Sequence, residues 1–443
     1  MTKVPHIMLK DVASLSSGGT PSKDNPAFWS GSIPWLTPKD MSSYDGSTQD
    51  FVTDIAIGNG TRLAPEGTIF VAVRGMSLHN EIRIVRSDRT MAFNQDIKAI
   101  IPKGIDGTFL YYALLSKKPN LLAVVESAGH GTGRLPTDKL SETPIPGFTL
   151  QEQVAIASLL AAIDDKITAN VNINAYLEKM AIATFRDWFI DFGPTRAKMA
   201  GQAPYLSPAA WSLFPENLDD MGIPLGWNLV PFESLLDSSL GGDWGDEEAG
   251  SENSEAVYVI RGTDLHEISR GGIGKVPLRY TSPKKLDARK LQDMDIVIEV
   301  SGGSPTQPTG RSILITSSML ERFNFQAVCA SFCRRFRPSS KENAIYAALH
   351  LSVLYKSGGT WEYQNQSTDI SNLQTTNFLK RELAVQPGVP VLDAFTEMVE
   401  PLIRRSSNNE VAFLARLRDE LLPKLMSGEL QVKDAETMVR KIV

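Results

Sequence analysis

The feature that most constrains this chain is an internal repeat. Five segments of the first half have counterparts in the second, in the same order. WLTPKDM (Trp35–Met41) answers VIRGTDL (Val259–Leu265), with Asp40 matching Asp264. GTIFVAVRG (Gly67–Gly75) answers MDIVIEVSGG (Met294–Gly303), each an apolar run that ends in glycine. AFNQDIKAII (Ala92–Ile101) answers RFNFQAVCASF (Arg322–Phe332), and FLYYALLSK (Phe109–Lys117) answers AIYAALHLSVLYK (Ala344–Lys356). RLPTDKLSETPIP (Arg134–Pro146) answers SNLQTTNFLKRELAV (Ser371–Val385). The offset drifts from about 220 to about 240, as loops of different length in two copies of one domain require. The chain therefore reads as two halves, each a mixed α/β segment of roughly 150 residues followed by a long helical one.

The helical segments carry mostly apolar residues, with a few polar ones among them, at intervals of three and four, which share one helix face. In the first these are Ile156, Leu160, Ile163, Ile167, Asn170, Asn174, Leu177 and Ala181. In the second they are Leu392, Phe395, Val399, Leu402, Ser406, Asn409, Phe413, Leu417 and Leu421, with Pro401 marking a kink or a delayed start. About 38 residues at 1.5 Å each make a rod of about 55–60 Å. One such rod cannot bury its seam alone, but two in one chain can bury each other. Asn170 and Asn409 lie near the two centres, and centres meet in an antiparallel pair, where a polar seam residue fixes register. The expectation is that they lie close together. The fold class is thus α+β: two repeated mixed domains and two long helices in an antiparallel coiled coil, with a pseudo-two-fold internal repeat.

Composition narrows the function classes. With 42% hydrophobic and 22% charged residues the chain suits a globular fold, and it has no run of 18 apolar residues. Its two cysteines, Cys329 and Cys333, lack the further ligands of a zinc site. A reduced, cytoplasmic setting is expected. Net charge is −6, but its distribution matters more. Residues 1–150 hold 15 Lys+Arg against 14 Asp+Glu, and residues 225–388 hold 17 against 19. Within the latter, Asp243–Glu255 has six acids and no base, whereas Arg270–Lys290 has seven bases and one acid. GGIGKV (Gly271–Val276) has the wrong spacing for a phosphate loop, and none of the five histidines pairs with another at metal-binding spacing. Nothing in the sequence forms a recognisable catalytic centre.

What remains is loop chemistry: SSGGTPSKDNPAFWSGSIPW (Ser16–Trp35), SSLGGDWGDEEAG (Ser238–Gly250), HGTGR (His130–Arg134) and EYQNQST (Glu362–Thr368). Arg, Lys, Asn, Gln, Ser and Thr on such loops can read base edges, though the same residues also serve as ordinary turn formers. At this point the chain resembles the specificity subunits of type I restriction–modification enzymes. LKDVASLSSGGTPSKDNPAFWSGSIPWLTPKDM (Leu9–Met41) resembles the opening of their target recognition domains. LQEQVAIASLLAAIDDKI with ATFRDWFIDFGPTRAK (residues 150–198) resembles their central helix and its end. IPLGW (Ile223–Trp227) resembles the entry to their second recognition domain, and LARLRDELLPKLMSGEL (Leu414–Leu430) their C-terminal helix end. The N-terminal VPHIML lacks the Pro-x-Gly-Trp entry seen at residue 224.

The resemblance implies target recognition domains at 1–149 and 225–388. Spacer helices follow at 150–192 and 389–430, with a linker at 193–224 and a tail at 431–443. It implies a non-catalytic subunit that binds a bipartite double-stranded DNA site, one half-site per domain. Two modification (methyltransferase) subunits and two restriction (helicase and nuclease) subunits would dock on it, with no membrane involved. S-adenosylmethionine, Mg2+ and ATP would belong to those partners, leaving this chain without a cofactor or metal. Candidate base readers are Thr20, Lys23, Lys39, Arg74, Ser77 and Arg134 in the first domain. In the second they are Arg261, Thr263, Ser304, Arg311, Gln364, Asn365 and Gln366. Coiled-coil and partner candidates are Ile163, Ile167, Asn170, Phe185, Trp188, Phe189, Leu402, Asn409 and Leu417. The readings left open are a bipartite DNA methylase without restriction, or a two-domain protein-binding adaptor.

Overall fold

The computed structural model describes residues 4–303, 307–367 and 370–440. The chain forms two compact units, residues 1–166 with 414–443, and residues 167–413.

In the first unit the strand Ile69–Ala72 is buried on both faces, as its uninterrupted apolar run requires. It lies inside a four-stranded antiparallel sheet in the order Ala13–Ser17, Ile97–Pro102, Ile69–Ala72, Ile84–Arg86. A second sheet runs Asp50–Val52, Trp29–Leu36, Met91–Phe93, Arg62–Ala64, with one parallel pair in which Trp35 faces Ala92. A small sheet joins Glu126–Ala128, Thr132–Arg134 and Arg74–Gly75, and His6–Met8 pairs with Pro144–Pro146.

The second unit repeats this plan, except that its second sheet has three strands, with no counterpart of Arg62–Ala64 among the described residues. Its large sheet runs Leu236–Gly241, Cys333–Pro338, Ile296–Glu299, Ser312–Leu314. A parallel pair recurs between Glu255–Ile260 and Ala327–Cys329, and Asn228–Pro231 pairs with Leu383–Gln386. The small sheet recurs as Gln364–Ser367, Ile370–Leu373 and Ser301–Gly303. VPHIML thus enters its domain by the same kind of strand as the second copy, although it lacks that copy's tryptophan.

Local details match as well. Asp40 Oδ2 accepts from the Thr37 amide at 2.8 Å, and Asp264 Oδ2 from the Arg261 amide at 3.0 Å. A Cβ on Gly18 would sit 2.1 Å from the Phe93 carbonyl oxygen, and one on Gly242 would sit 2.1 Å from that of Ala330. The Ser-x-Gly-Gly likeness of the two loops therefore reflects one close backbone approach made twice.

The central helix runs Leu150–Phe189. Glu152 accepts from the Thr149 amide and hydroxyl, which closes the helix start. Within the first unit, Asp164 holds Arg418 at 2.7 Å and accepts from the Tyr112 hydroxyl at 2.6 Å. Within the second, Phe185 packs on Tyr346 and Phe395, and Trp188 on Phe214 and Phe395. Residue numbers rise along one helix as they fall along the other, so the pairing is antiparallel. FRDWFIDFGP ends the helix because Phe192 turns left-handed at φ 52°, and Pro194 then opens a new helix, Gly193–Met199. The linker is structured: Phe214 is buried on Trp188, and Trp211 packs on Tyr205.

The C-terminal segment departs from a single long rod. It forms Val389–Ser406 and Glu410–Ser427, and a further helix follows at Val432–Arg440. Pro401 lies inside the first of these, so the interruption falls elsewhere, at residues 407–409. Ser and Asn there bond to nearby backbone in place of continuing the helix. Asn408 Oδ1 takes the Glu410 amide, and the Asn409 carbonyl takes the Phe413 amide. Asn409 is therefore a cap residue. Its Oδ1 accepts from Arg322, not from Asn170, and the buried Asn170 Nδ2 has no hydrogen-bond partner.

Candidate nucleic-acid interface

The candidates fall into two groups, exposed and engaged. Lys23, Lys39, Arg74 and Arg134 are exposed in the first domain. Thr20 is half-buried and donates to Gln95, and Ser77 is half-buried in the short helix Met76–His79. In the second domain Thr263 and Asn365 are exposed. Gln364 is half-buried and accepts from the Thr309 amide at 3.3 Å. Ser304 and the Gln366 side chain lie outside the described residues.

Both second-domain arginine candidates are tied down. Arg261 grips Asp264 through two bonds of 2.8 Å, and Arg311 grips Glu299 at 2.6 and 2.9 Å. Those carboxylates are 3% and 2% exposed, which makes the arginines counter-ions that neutralise buried charge. The bonds to Asp264 and to Glu299 hold the two guanidiniums above their ordinary pKa.

Arg322 has a different role. Its guanidinium donates to the carbonyls of Ile268 (2.6 Å), Gly272 (3.1 Å), Ser407 (2.6 Å) and Asn408 (3.4 Å) and to Asn409 Oδ1 (2.7 Å). Burial pulls its pKa down to about 10. It caps the end of Val389–Ser406 and clamps the helix break to the turn between Ile268 and Gly272 of the same unit.

The small sheet gathers polar side chains into a row. Arg134 stands opposite Glu126 on one side and Arg74 on the other. Directly opposed residues point to the same face. All three are exposed, and none forms an ion pair among the described residues. The charge on Arg74 also reaches Asp96, whose carboxyl is raised by burial against that pull.

The second domain builds the same row from Asn365, Asn372 and Ser301, with the Ser301 hydroxyl bonded to Asn372 Oδ1. The correspondence is fixed by backbone geometry. The Leu135 amide bonds the Val73 carbonyl at 2.9 Å, as the Leu373 amide bonds that of Val300 at 2.8 Å. Gly75 and Gly302 follow with φ of 142° and 140°. Sequence reasoning does not single out Glu126 or Asn372, because a row across three strands depends on a register that no linear motif records.

Of the helix candidates, Ile163, Asn170, Phe185, Trp188 and Phe189 are buried, and Ile167, Leu402, Asn409 and Leu417 are half-buried.

The type I restriction modification DNA specificity domain matches residues 3–179. The MjaIX specificity subunit of Methanocaldococcus jannaschii is 27% identical over 442 residues, covering 96% of this chain and 93% of that protein. The EcoR124I/EcoR124II specificity subunit of Escherichia coli is 29% identical over 191 residues, which is 42% of this chain and 47% of that one. In fold, a type I restriction–modification S subunit from M. genitalium superposes with a TM-score of 0.51 at 16% identity, covering 95% of both chains. No helix among the described residues is long and apolar enough to cross a membrane. With the repeated domains and the antiparallel helices, these matches show a chain that carries a type I restriction modification DNA specificity domain at residues 3–179 and is similar along most of its length to type I restriction enzyme specificity subunits.

Proposed function

We propose that this chain recognises a bipartite double-stranded DNA site for a type I restriction–modification enzyme in the cytoplasm. Each recognition domain reads one half-site, and the paired helices set the distance between them. Catalysis belongs to partners: two modification subunits that transfer methyl groups, and two restriction subunits that translocate and cut. The observation that carries this reading is the repeated sheet plan with different side chains on equivalent rows of the small sheets. One backbone plan used twice with different reading chemistry suits two different half-sequences. Phosphate neutralisation can be shared with the partners while this chain supplies base contacts, which fits a net charge of −6.

The test is methylome sequencing of a host that expresses the chain with its modification partner. A two-part motif is expected. Replacing residues 1–149 by a relative's first domain should change one part only. If both parts moved together, the one-domain, one-half-site assignment would fail. Adding one heptad to both helices should widen the gap between the parts, and an unchanged gap would reject the spacer role.

A further inference from the structure

The row Glu126–Arg134–Arg74 places two like charges directly opposite each other on neighbouring strands, an arrangement that weakens a sheet. A neutral counterpart was open to this fold, since the second domain uses Asn365–Asn372–Ser301 at the same positions. Glu126 could quench Arg134, yet no ion pair joins them within 4.0 Å, and both side chains stand exposed. The second domain's candidate arginines, by contrast, are locked onto buried carboxylates. The first domain therefore presents guanidiniums that fold stability does not use.

We propose that this row reads one G·C base pair of the first half-site in the major groove. Arg134 takes guanine O6 and N7 through its two parallel N–H groups, and Glu126 accepts from the cytosine N4 amino group. Cross-strand neighbours lie about 5 Å apart, so these two long side chains can converge on the edges of one base pair. Arg74 supplies the extra positive charge and contacts the flanking phosphate. The equivalent row of the second domain carries only amide and hydroxyl groups, which suit adenine N6 and N7. This rests on the reading of the chain as a duplex-DNA recognition subunit, and it adds which side chains read and what they read.

The experiment uses the full chain with its modification subunit, reading both the methylated motif and binding to duplexes that carry it. Arg134→Gln should relax one G·C position in the half-site assigned to residues 1–149. It should weaken binding to the cognate duplex by about 10- to 100-fold and leave the other half-site unchanged. Glu126→Gln should relax the same position less, and Asn372→Ala should alter only the other half-site. Arg134→Lys keeps the charge but loses the planar fork, so it should behave like Arg134→Gln for specificity.

The proposal is overturned if Arg134→Lys keeps both motif and affinity. It is equally overturned if Arg134→Gln weakens all duplexes alike and lowers the salt slope by about one, the signature of a phosphate contact. An unaltered motif in Arg134→Gln sinks it too. A wild-type complex with no sequence preference overturns the DNA-recognition reading itself, and this proposal with it. Thermal melting of each variant checks folding, which changes at the exposed Arg134 and Glu126 should leave unmoved.

Discussion

Where the first domain bonds the Ala72 amide to the Arg83 carbonyl, the second bonds the Glu299 amide to that of Arg311. The backbone is the same and the side chains are not. In the first domain the site is a buried alanine, and the arginine reaches the Pro38 carbonyl at 2.7 Å. In the second, a buried carboxylate and the same arginine form a two-bond ion pair. The pattern recurs at the other end of the same strand: Thr68 bonds through its carbonyl where Asp295 does, and Asp295 holds Arg337 at 2.7 and 2.8 Å. The domains hold 15 and 17 basic residues, but counting bases misses that many in the second serve its own interior. Topology repeats, and electrostatics is assigned separately in each copy.

The comparison breaks most clearly at its buried pair. Arg311→Ala should cost about 3–5 kcal/mol, because it strands Glu299 as an unpaired buried charge. Arg83→Ala should cost only about 1 kcal/mol for one lost hydrogen bond. Adding Glu299→Ala to Arg311→Ala removes the stranded carboxylate and should recover most of the loss. Urea denaturation of the full chain measures all three. Equal costs for Arg83→Ala and Arg311→Ala would dissolve the distinction between the domains.

Arg322→Ala should come next, at about 2–3 kcal/mol, since a charged donor to several carbonyls is lost at once. Hydrogen exchange should rise at residues 403–413, where the helix break loses its clamp. Arg322→Lys should recover only part, because one ammonium cannot span both sides of that site.

The sequence makes some of this legible and hides the rest for physical reasons. The repeat and the central helix are written in local periodicity, so Asp40 with Asp264 and Leu150–Phe189 can be read directly. The break at 407–409 was hidden by the apolar spacing that continues through it, although SSNN (residues 406–409) is a run of poor helix formers. Arg261 and Arg311 look like base readers in a string of letters. The structure shows what the letters do not, that Glu299 and Asp264 each take two bonds from these guanidiniums and so fix where their remaining N–H groups point. Glu126 and Asn372 were hidden for the opposite reason, since their neighbours come from other strands.

A pH dependence should separate the domains more finely. Glu382 sits where the first domain has Thr143: their carbonyls take the amides of Phe232 and Leu9. Burial pushes the Glu382 carboxyl up, but bonds from His350 at 2.6 Å and Tyr363 at 2.8 Å outweigh it and leave its pKa below the usual carboxylate range. Folding thus favours the ionised form. Its contribution is complete above the unfolded carboxylate pKa and disappears as pH falls through the lowered folded value. Glu382→Gln should cost roughly 1.5 kcal/mol at neutral pH. The gap to wild type should close in acid, as melting curves from pH 7 to pH 3 would show. A gap that stayed constant would mean that shape, not charge, holds this site.

The smallest expected effect is the most diagnostic. Arg134→Ala and Arg74→Ala should change stability by no more than about 0.5 kcal/mol each, because both side chains are exposed and neither completes an ion pair. Removing one of two opposed like charges could even stabilise the small sheet slightly. Set beside the large cost at Arg311, a neutral result would establish that the two domains use the same residue type for opposite ends. In the second domain arginine holds a buried carboxylate in place. At Arg134 and Arg74 of the first it stands exposed with no ion pair among the described residues of its own fold, which makes it available to bind something else. Were Arg134→Ala to cost as much as Arg311→Ala, the row would be a structural element of the sheet, and its claim on DNA would lapse.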